Sequence, residues 1–547
     1  MSEARPSRET WRVMNLDLAI DETESRLRER AHEAAGVGAE EVRGFRIARK
    51  SVDARRSRGG KRRIRFVVQA DLVLEAGFTS PAFERARRAG RVKRCAEPAS
   101  LELASVHPSL AGARVVVVGS GPAGLFAALV LARGGCRVDL LDRGPGLHER
   151  GRAMSAFVRT REPDPEANLL FGEGGAGTYS DGKLYSRVDH PLELPILDEL
   201  VDCGAPPEIR YDSRAHIGTD RLHRVLPRLR GRLEDAGVRF HWMTRMDSLV
   251  IKGEGVRSVR AVVSSAGELP CDALVLAVGH SARDSWQRLA EQGVVFEAKP
   301  FQLGVRIEHP QALIDAGRYG TGPEAALLGP ASYGLVCRAQ ADKPGAHTFC
   351  MCPGGQIVAT VNGTRELCTN GMSNSRHSSP WANAGVVTTV GPREFGSGPF
   401  AGVDLQRRLE GLFFEAGGSD YRAPAQWAPD FLAGRASRSV GPTSYKLGVT
   451  PGRIDALLPP RIRDALRRGL ERFDRQIAGF AGPEGLLVGI ESRSSGPVRM
   501  PRDPESFRAA DFANLIPVGE GAGYAGGIMS SAIDGARAAQ ALLAGGL

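Results

Sequence analysis

Short apolar runs separated by polar turns fill the first part of the chain and predict a small α+β unit. Residues 13–20, 42–49 and 64–74 have the length and apolar character of strands. The acid-rich stretch 21–24 is expected to begin a helix that runs to about Ala35 and ends at Gly36. We predict that this unit occupies residues 1–100, with a linker over residues 98–112.

The pattern then changes to a strand, a small-residue helix and a second strand. Residues 114–118 form a β-branched run, residues 123–133 consist mostly of Ala and Leu, and residues 137–141 form an apolar run that ends at Asp142. The uncharged stretch 115–132 is as long as a membrane span, but its glycines and Pro122 divide it. We therefore expect no membrane helix.

An amphipathic helix and several strands are predicted downstream. Five apolar residues of the stretch 219–236 share one helical face, and Pro227 within it predicts a kink. Further strand-like runs are residues 239–250, 255–263, 269–278 and 514–518. The last run leads through a glycine-rich turn into a helix over residues 527–543. Residues 150–215 are rich in Gly, Pro and charge, so an irregular segment is expected there.

The composition of the chain indicates how many domains it has and in which cellular compartment it is expected. The 547 residues are 42% hydrophobic and 25% charged, which is typical of a globular protein with two or three domains. The first ten residues are polar and charged, so no secretory signal is expected and a cytoplasmic protein is predicted. Oligomeric state does not follow from the sequence.

The net charge of +10 is concentrated near the start of the chain, since residues 1–100 hold 23 Lys and Arg against 15 Asp and Glu. Many of these cations lie in the run 55–65. One interpretation is a phosphate or nucleic-acid contact. The favoured one is a solvated hairpin that turns at Gly59 and Gly60, because no aromatic residues flank the run for base stacking. A nucleic-acid partner is therefore not expected.

Among eight cysteines the only close pair is Cys350-Met351-Cys352. A single C-x-C without a second pair at metal spacing is not a zinc pattern, so no metal site is predicted. The favoured interpretation is two half-buried thiols on the same face of one strand.

The segment Gly119-Ser-Gly121-Pro-Ala-Gly124 carries the clearest chemistry. It follows a strand and opens a helix, where Gly119 permits the turn, Gly121 admits a diphosphate and Gly124 lets the helix pack on the strand. Free N–H groups at the helix start hold the diphosphate. Asp142, 18 residues after Gly124, ends the second strand where a carboxylate accepts hydrogen bonds from a ribose. The segment therefore predicts a dinucleotide site.

A second strand-turn-helix at residues 516–528 selects FAD over NAD. Gly519 and Glu520 lie in its turn, and Gly527 and Ile528 open its helix. A helix N-terminus directed at flavin N1 and C2=O stabilises the negative charge of the reduced flavin. Flavoproteins with two dinucleotide-binding folds usually have Asp at the position of Glu520, where the carboxylate binds the ribityl or pyrophosphate region. We therefore expect the longer Glu520 side chain to bind through a shifted geometry. Bound FAD is predicted.

Other glycine-rich or small-residue segments are consistent with FAD. The loop 171–183 is expected to press its backbone against the cofactor, and the strand after the amphipathic helix is expected to meet adenine at Met246. The predicted cofactor-binding residues are Gly119, Gly121, Pro122, Ala123, Gly124, Asp142, Arg143, Gly174, Gly175, Met246, Ala277, Gly279, Gly519, Glu520, Gly527 and Ile528.

These motifs resemble those of the bacterial FAD-dependent dehydrogenases, a largely uncharacterised group within the glutathione-reductase-type Rossmann superfamily. Its marks here are the N-terminal unit, both glycine turns, FGEGGAGTYSDGKL at 171–184, HIGTD at 216–220, AVGHSARD at 277–284, FCMCPGG at 349–355, TNGMSNS at 369–375 and SYKLGV at 444–449. The resemblance spans almost the whole chain and implies bound FAD and an inserted substrate domain. The fold predicted is α/β, with a Rossmann-type FAD-binding domain at 112–289 and 490–547 and an inserted α+β domain at 290–489.

Substrate-side candidates are polar residues near glycine-rich turns: Arg306, Asn374, Tyr445, Lys446, Arg493 and Arg499. Tyr445 and Lys446 are proposed as a proton-donor pair beside flavin N5. Arg493 and Arg499 precede the closing flavin segment and favour an anionic substrate.

The predicted function is an FAD-dependent oxidoreductase that transfers a hydride between flavin N5 and a small organic substrate. No second complete dinucleotide motif is found, so NAD(P)H is retained only as a transient electron donor. Three alternatives stay open. A flavin monooxygenase would consume NADPH, although its usual G-D-A-x-H closing pattern is absent. A tRNA-modifying flavoenzyme would use the basic N-terminal unit, and a non-catalytic binding protein would carry no yellow cofactor.

Overall fold

The computed structural model describes residues 8–55, 64–96, 99–184 and 190–547. The predicted N-terminal unit contains an antiparallel sheet in the order β2-β3-β1-β4. Its elements are β1 (Arg8–Leu18), α1 (Arg26–Ala35), β2 (Gly44–Asp53), β3 (Arg65–Glu75), α2 (Pro81–Arg88) and β4 (Val92–Cys95). Helix α1 ends as predicted at Gly36, which has a φ of 66°. The predicted hairpin turn at Gly59 and Gly60 lies outside the described residues.

A five-stranded parallel sheet in the order β23-β11-β5-β6-β7 forms the centre of the protein. Its strands are β5 (Arg114–Val118), β6 (Arg137–Leu141), β7 (Arg239–His241), β11 (Ala273–Leu276) and β23 (Leu515–Pro517). Helices α3 (Pro122–Arg133) and α14 (Ile528–Gly545) contact each other beside this sheet. The first and last parts of the predicted FAD-binding domain thus share one sheet, and the α/β fold class is confirmed.

The segment between β6 and β7 is more regular than predicted. It contains α4 (Leu147–Thr160), α5 (Glu193–Asp202) and α6 (Thr219–Asp235). Helix α6 continues through Pro227, so the predicted kink does not divide it. The apolar face of α6 is buried as expected, through Leu222, Val225, Leu226, Leu229 and Leu233.

One predicted strand is two strands in the structure. The run 239–250 divides into β7 and β8 (Met246–Lys252), because the chain turns at residues 242–245. Strand β8 belongs to a separate antiparallel sheet in the order β10-β9-β8. The other strands of that sheet are β9 (Ser258–Ser264) and β10 (Gly267–Pro270). Helix α7 (Arg283–Glu291) contacts β8.

Residues 301–491 build a seven-stranded sheet in the order β14-β15-β18-β13-β21-β19-β20. Its strands are β13 (Phe301–Pro310), β14 (Val336–Cys337), β15 (Ala346–Cys352), β18 (Trp381–Val390), β19 (Ala423–Trp427), β20 (Val449–Pro451) and β21 (Leu486–Glu491). Two small sheets pair β12 (Glu297–Ala298) with β22 (Val498–Arg499) and β16 (Gly355–Ala359) with β17 (Thr369–Ser373). The helices of this region are α8 (Gln311–Tyr319), α9 (Pro392–Phe395), α10 (Ala401–Gly417), α11 (Ala428–Ala433), α12 (Ile454–Leu457) and α13 (Pro460–Asp474).

Within the described ranges, no helix combines the length and apolar character that crossing a bilayer requires.

Candidate functional site

The carboxyl ends of the parallel strands define one edge of the central sheet. Strand β5 leads into Gly119, β6 into Asp142, β11 into Ala277 and β23 into the turn that holds Gly519. Parallel strands present these ends on the same side, which is where ligands bind in open α/β sheets. The topology therefore places four of the predicted cofactor segments at one edge.

The turn after β5 has the geometry of a diphosphate site. Gly119 has a φ of 105°, and a β-carbon there would stand 2.3 Å from the carbonyl oxygen of Ala277. A β-carbon on Gly124 would stand 1.8 Å from the carbonyl oxygen of Gly119, so only glycine allows this helix to pack so closely. A β-carbon on Gly121 would meet only the Cα of Gly175, at 4.0 Å. Gly121 therefore faces open space beside the first N–H groups of α3.

Asp142 connects the turns around this site. One carboxylate oxygen accepts hydrogen bonds from the backbone N–H and the hydroxyl of Ser120, at 2.8 and 2.6 Å. The other accepts from the N–H groups of Gly144 and Gly172, at 2.8 and 2.9 Å. Because a carboxylate offers about four acceptor positions, these contacts occupy the group. Asp142 thus orders three turns, and its hydrogen bond to a ribose stays a prediction.

Arg143 lies next to Asp142 but is held by acidic side chains. Its guanidinium pairs with Glu166 and, at 2.8 Å, with Asp284, and it stacks over the ring of Phe171 at 4.4 Å. The carboxylates of Glu166 and Asp284 raise the pKa of Arg143 although burial lowers it. This arrangement fastens the start of the glycine-rich loop to the end of β6.

Met246 lies at the first position of β8 and pairs with Ser264, with its side chain in a hydrophobic core. The residues that meet the Asp142 turn come just before it. The N–H of Thr244 donates to the carbonyl of Asp142 at 2.8 Å, and that of Met243 donates to Gly144 at 3.1 Å. An adenine contact at Met246 stays a prediction, and Met243 and Thr244 are closer to the turn.

The glycine-rich loop connects the two helix N-termini. The N–H of Gly174 donates to the carbonyl of Ser120 at 3.0 Å, and a β-carbon on Gly175 would stand 3.0 Å from the Cα of Gly121. Two residues later, a β-carbon on Gly177 would stand 3.0 Å from the side chain of Ile528, the first residue of α14. The loop therefore passes from the start of α3 to the start of α14.

The closing segment meets the first turn as predicted. A β-carbon on Gly519 would stand 2.8 Å from the β-carbon of Ala123, and one on Gly521 would stand 2.5 Å from the carbonyl oxygen of Gly279. Gly279 itself has a φ of 76° and faces open space. The N–H of Gly519 donates to Asp534 of α14 at 2.8 Å. Two stretches almost four hundred residues apart along the chain thus form one site.

Glu520 supplies an observation that fits a bound ligand. The residue is partly exposed, but its Oε1 is buried and has no hydrogen-bond partner among the described residues. Burial raises the pKa of Glu520 to about 8, and nearby Lys299 opposes this shift. Buried polar atoms are normally hydrogen-bonded, so this oxygen is suited to a hydroxyl group of a cofactor. Together with the open sides of Gly121 and Gly279, it fits FAD.

Sequence reasoning missed Arg150, which lies beneath the glycine-rich loop. It is fully buried on α4 and donates to the carbonyl groups of Asn168 and Glu173, at 2.8 and 2.7 Å. Its guanidinium stands over the ring of Tyr179 at 4.8 Å. The sequence signal for Arg150 was its position four residues after Gly146. We overlooked it because residues 150–215 were predicted to form an irregular segment.

The two predicted proton donors differ in burial. The hydroxyl of Tyr445 donates to the carbonyl of Tyr421 at 2.8 Å, and the side chain is buried in the hydrophobic core of the seven-stranded sheet. Burial raises the pKa of Tyr445 well above its usual value. Lys446, the next residue, is exposed. The two neighbouring residues face different environments, and their joint action beside the flavin stays a prediction.

Arg493 lies in a network of charged side chains, and its contact with a substrate stays a prediction. It is buried, and its guanidinium contacts Glu410 at 2.7 Å, Glu366 at 2.8 Å and Asn362. Arg283 contacts the same Glu410 carboxylate at 2.8 Å. Although burial raises it, the two guanidinium groups hold the pKa of Glu410 well below its usual range. Arg493 is thus committed to a buried ion-pair network.

Of the other substrate-side candidates, Arg499 stays accessible. Arg306 is buried and paired with Glu491 at 2.9 Å, and the side-chain amide of Asn374 donates to Ser378 at 2.6 Å. Arg499 is exposed and stands over the ring of Tyr524 at 5.3 Å, next to the closing turn.

Family comparisons agree with the geometry. The family described as "FAD binding domain" matches residues 112–163, which hold the Gly119 turn and Asp142. The family described as "FAD-dependent protein, C-terminal domain-like" matches residues 300–494. A domain of unknown function, DUF8436, matches residues 11–73. With its Rossmann-type sheet and this site, the protein is an FAD-dependent protein of the α/β class.

A relative that matches over almost its whole length shows to which family the chain belongs. The chain is 36% identical over 542 residues to an uncharacterized protein of Clostridium beijerinckii (strain ATCC 51743 / NCIMB 8052), covering 97% of this chain and 98% of the relative. The chain belongs to the same family as that protein.

Solved structures resemble the chain weakly. L-proline dehydrogenase from P. horikoshii is 11% identical, covers 79% of this chain and 93% of its own, and has a TM-score of 0.32. Glycine oxidase from Bacillus cereus ATCC 14579 is 11% identical, covers 79% of this chain and 97% of its own, and has a TM-score of 0.29. At these values the likeness carries no information about the substrate.

Proposed function

We propose that this FAD-dependent protein is an oxidoreductase that transfers a hydride between flavin N5 and a small organic substrate. The observation that carries the proposal is the path of the glycine-rich loop, from Gly175 beside Gly121 to Gly177 beside Ile528. This path links the N-terminus of α3, suited to a diphosphate, to that of α14, suited to the reduced isoalloxazine.

The residues at the edge of the central sheet would hold the cofactor along its length. The start of α3, with Gly119, Gly121, Pro122, Ala123 and Gly124, would bind the diphosphate. Glu520 would meet a hydroxyl of the ribityl chain, and the turn at Ala277 and Gly279 would lie beside the flavin, with Gly527 and Ile528 at its other side. Bound FAD supplies two-electron redox chemistry at N5, and the protein orients it and tunes it.

Glu520 would act as a hydrogen-bond donor at neutral pH. Burial raises its pKa to about 8, so below that pH the carboxyl carries a proton. A protonated carboxyl donates one hydrogen bond and accepts others, whereas a carboxylate only accepts. The orphaned Oε1 would then find its partner on the cofactor.

Positive charge at the closing turn favours an anionic substrate. Lys299 donates to the carbonyl of Gly496 at 3.2 Å and lies within electrostatic range of both Glu520 and Arg499. Arg499 is exposed beside Tyr524 and has no carboxylate partner within 4.0 Å among the described residues. We propose that it binds the anionic group, with NAD(P)H as a transient electron donor.

The test begins with the visible spectrum of the purified protein. A flavin spectrum is expected, followed by anaerobic bleaching with NADH, NADPH or candidate organic anions. Bleaching by an organic substrate without NAD(P)H supports the proposal. Consumption of NADPH together with oxygen insertion would instead identify a monooxygenase, and a protein that never retains flavin would be a binding protein.

Two glycine variants test the placement of the diphosphate. Gly121→Val puts a side chain into the open space next to α3, so FAD occupancy should fall to near zero. Gly231→Val is the matched control. Gly231 lies on helix α6, and a β-carbon there would meet nothing within 4 Å. Full FAD occupancy in Gly121→Val would refute the placement.

A further inference from the structure

Cys350 and Cys352 lie at the end of β15, where the strand is irregular. Cys350 has a φ of 41°, which is rare for a residue with a side chain, and the pairing with β18 shifts between Phe349 and Cys352. Both thiols lie on one strand as expected, but only Cys350 is half-buried, since Cys352 is fully buried. Residues held in such conformations cluster at functional sites.

Both sulfur atoms face a lysine from the glycine-rich loop. The Nζ of Lys183 lies 4.0 Å from the Sγ of Cys350 and 3.8 Å from that of Cys352. Arg306, which is fully buried, donates to the carbonyl of Cys350 at 2.9 Å and lies 4.0 Å from the Sγ of Cys352. Two cations from separate parts of the chain therefore lie near one pair of thiols, and each is also paired with a carboxylate, Lys183 with Asp181 at 3.0 Å and Arg306 with Glu491 at 2.9 Å.

The two thiols are electrostatically unequal. A hydrogen bond from the Cys352 thiol lowers the pKa of Cys350 against burial, which raises it, and Lys183 and Arg306 lower it further. The same hydrogen bond and burial raise the pKa of Cys352. These shifts favour ionisation of Cys350 over Cys352, which is the order that a dithiol exchange centre requires.

Three other cysteines are buried, as Cys352 is, and differ in this from the partly exposed Cys350. Burial raises the pKa of Cys136 to about 11, that of Cys203 to about 11 and that of Cys271 to about 12. Burial in apolar surroundings makes a thiol unreactive, whereas Cys352 is buried beside the ammonium group of Lys183, at 3.8 Å. Cys136, Cys203 and Cys271 are internal references for reactivity within the same molecule.

We infer that Cys350 and Cys352 form a redox-active thiol pair, in which Cys350 attacks a low-molecular-weight disulfide and Cys352 resolves the product. The Cys350 thiolate forms a mixed disulfide with one sulfur of the substrate and releases the other as a thiolate, which takes up a proton. Cys352 then loses its proton and attacks the Sγ of Cys350, forming the intramolecular disulfide and releasing the second thiol. The protein pair loses two electrons, and the small disulfide is reduced to two thiols.

The first test measures reactivity in the wild-type holoprotein. Iodoacetamide alkylation at neutral pH, followed by peptide mass spectrometry, should modify Cys350 at least about tenfold faster than Cys271, since each pKa unit changes the thiolate fraction about tenfold. Incubation with glutathione disulfide should give a disulfide confined to the peptide that holds Cys350 and Cys352. Equal alkylation rates, or no disulfide in that peptide, would overturn the inference.

Variants then separate the roles of the two sulfurs. Cys352→Ser should accumulate a glutathione mixed disulfide at Cys350, whereas Cys350→Ser should give no intramolecular disulfide. Lys183→Met should slow alkylation of Cys350 several-fold, and Lys446→Met, at an exposed lysine, should not change it. Failure of Cys352→Ser to trap the mixed disulfide would contradict the proposed order. If a serine variant does not fold, the alkylation rates of the wild-type protein decide the question.

Discussion

Gly535 packs directly on Ala123, and a β-carbon at Gly535 would stand 2.0 Å from the carbonyl oxygen of Ala123. This contact joins the middle of α14 to the first turn of α3. Because each helix N-terminus is proposed to bind one part of FAD, the spacing between these helices sets the length of the cofactor site. Gly535 is therefore a packing requirement of the site, because it contacts Ala123, a predicted cofactor-binding residue, although Gly535 itself was not predicted to bind FAD.

Gly535→Ala should destabilise the protein and reduce FAD occupancy. Overpacking of this kind costs about 1–3 kcal/mol, which exceeds the gain of up to about 1 kcal/mol in helix propensity. The measurement is the urea dependence of unfolding, together with the flavin content of the purified variant. Gly231→Ala, in helix α6 with open space around it, should have the opposite sign and stabilise the protein slightly. Equal effects at both positions would show that the α3–α14 contact tolerates a methyl group.

Glu410→Gln should be strongly destabilising. The carboxylate of Glu410 is fully buried between Arg283 and Arg493, at 2.8 and 2.7 Å. A neutral amide at this position would remove the negative charge that balances the two buried guanidinium groups. Breaking such a pair costs about 3–5 kcal/mol. Urea unfolding would measure this loss. Glu415→Gln is the control on the same helix, since Glu415 is exposed and its 3.8 Å pair with Arg365 should contribute little. A loss below about 1 kcal/mol for Glu410→Gln would contradict the network described here.

The same network explains why part of the site could not be predicted. The partner of Arg493 lies 83 residues earlier in the chain, and no local pattern reveals such a pairing. By contrast, β5, α3 and β6 were predicted almost to the residue, because an apolar run, three glycines and Asp142 are all local signals. Helix α4 was missed because glycines and Pro145 around its start resemble a loop. The different burial of Tyr445 and Lys446 could not be predicted for a related reason, since adjacency in sequence does not determine how deeply a side chain is buried.

Glu520 should make the stability of the apoprotein depend on pH. Burial raises its pKa from 4.5 to about 8 in the folded state, so between these values the folded chain binds more protons than the unfolded chain. Stability from this group is complete below pH 4.5 and is lost as the pH rises toward 8. The slope of the unfolding free energy should reach about −1.4 kcal/mol per pH unit in this window. Glu520→Gln should flatten the slope, whereas Glu505→Gln, at an exposed position, should leave it unchanged. Identical pH profiles for Glu520→Gln and the wild type would exclude a raised pKa.

Tyr445→Phe separates a structural hydrogen bond from a catalytic proton donor. The hydroxyl of Tyr445 donates to the carbonyl of Tyr421 at 2.8 Å inside the core, so its removal should cost about 1 kcal/mol of stability. The ring remains in place, and the rate of anaerobic flavin reduction should not change. Lys446→Ala, at the exposed neighbouring position, should alter neither quantity. A general acid contributes about 10²–10⁴-fold to a rate, so a loss of flavin-reduction rate of that size in Tyr445→Phe would show that Tyr445 is a catalytic proton donor.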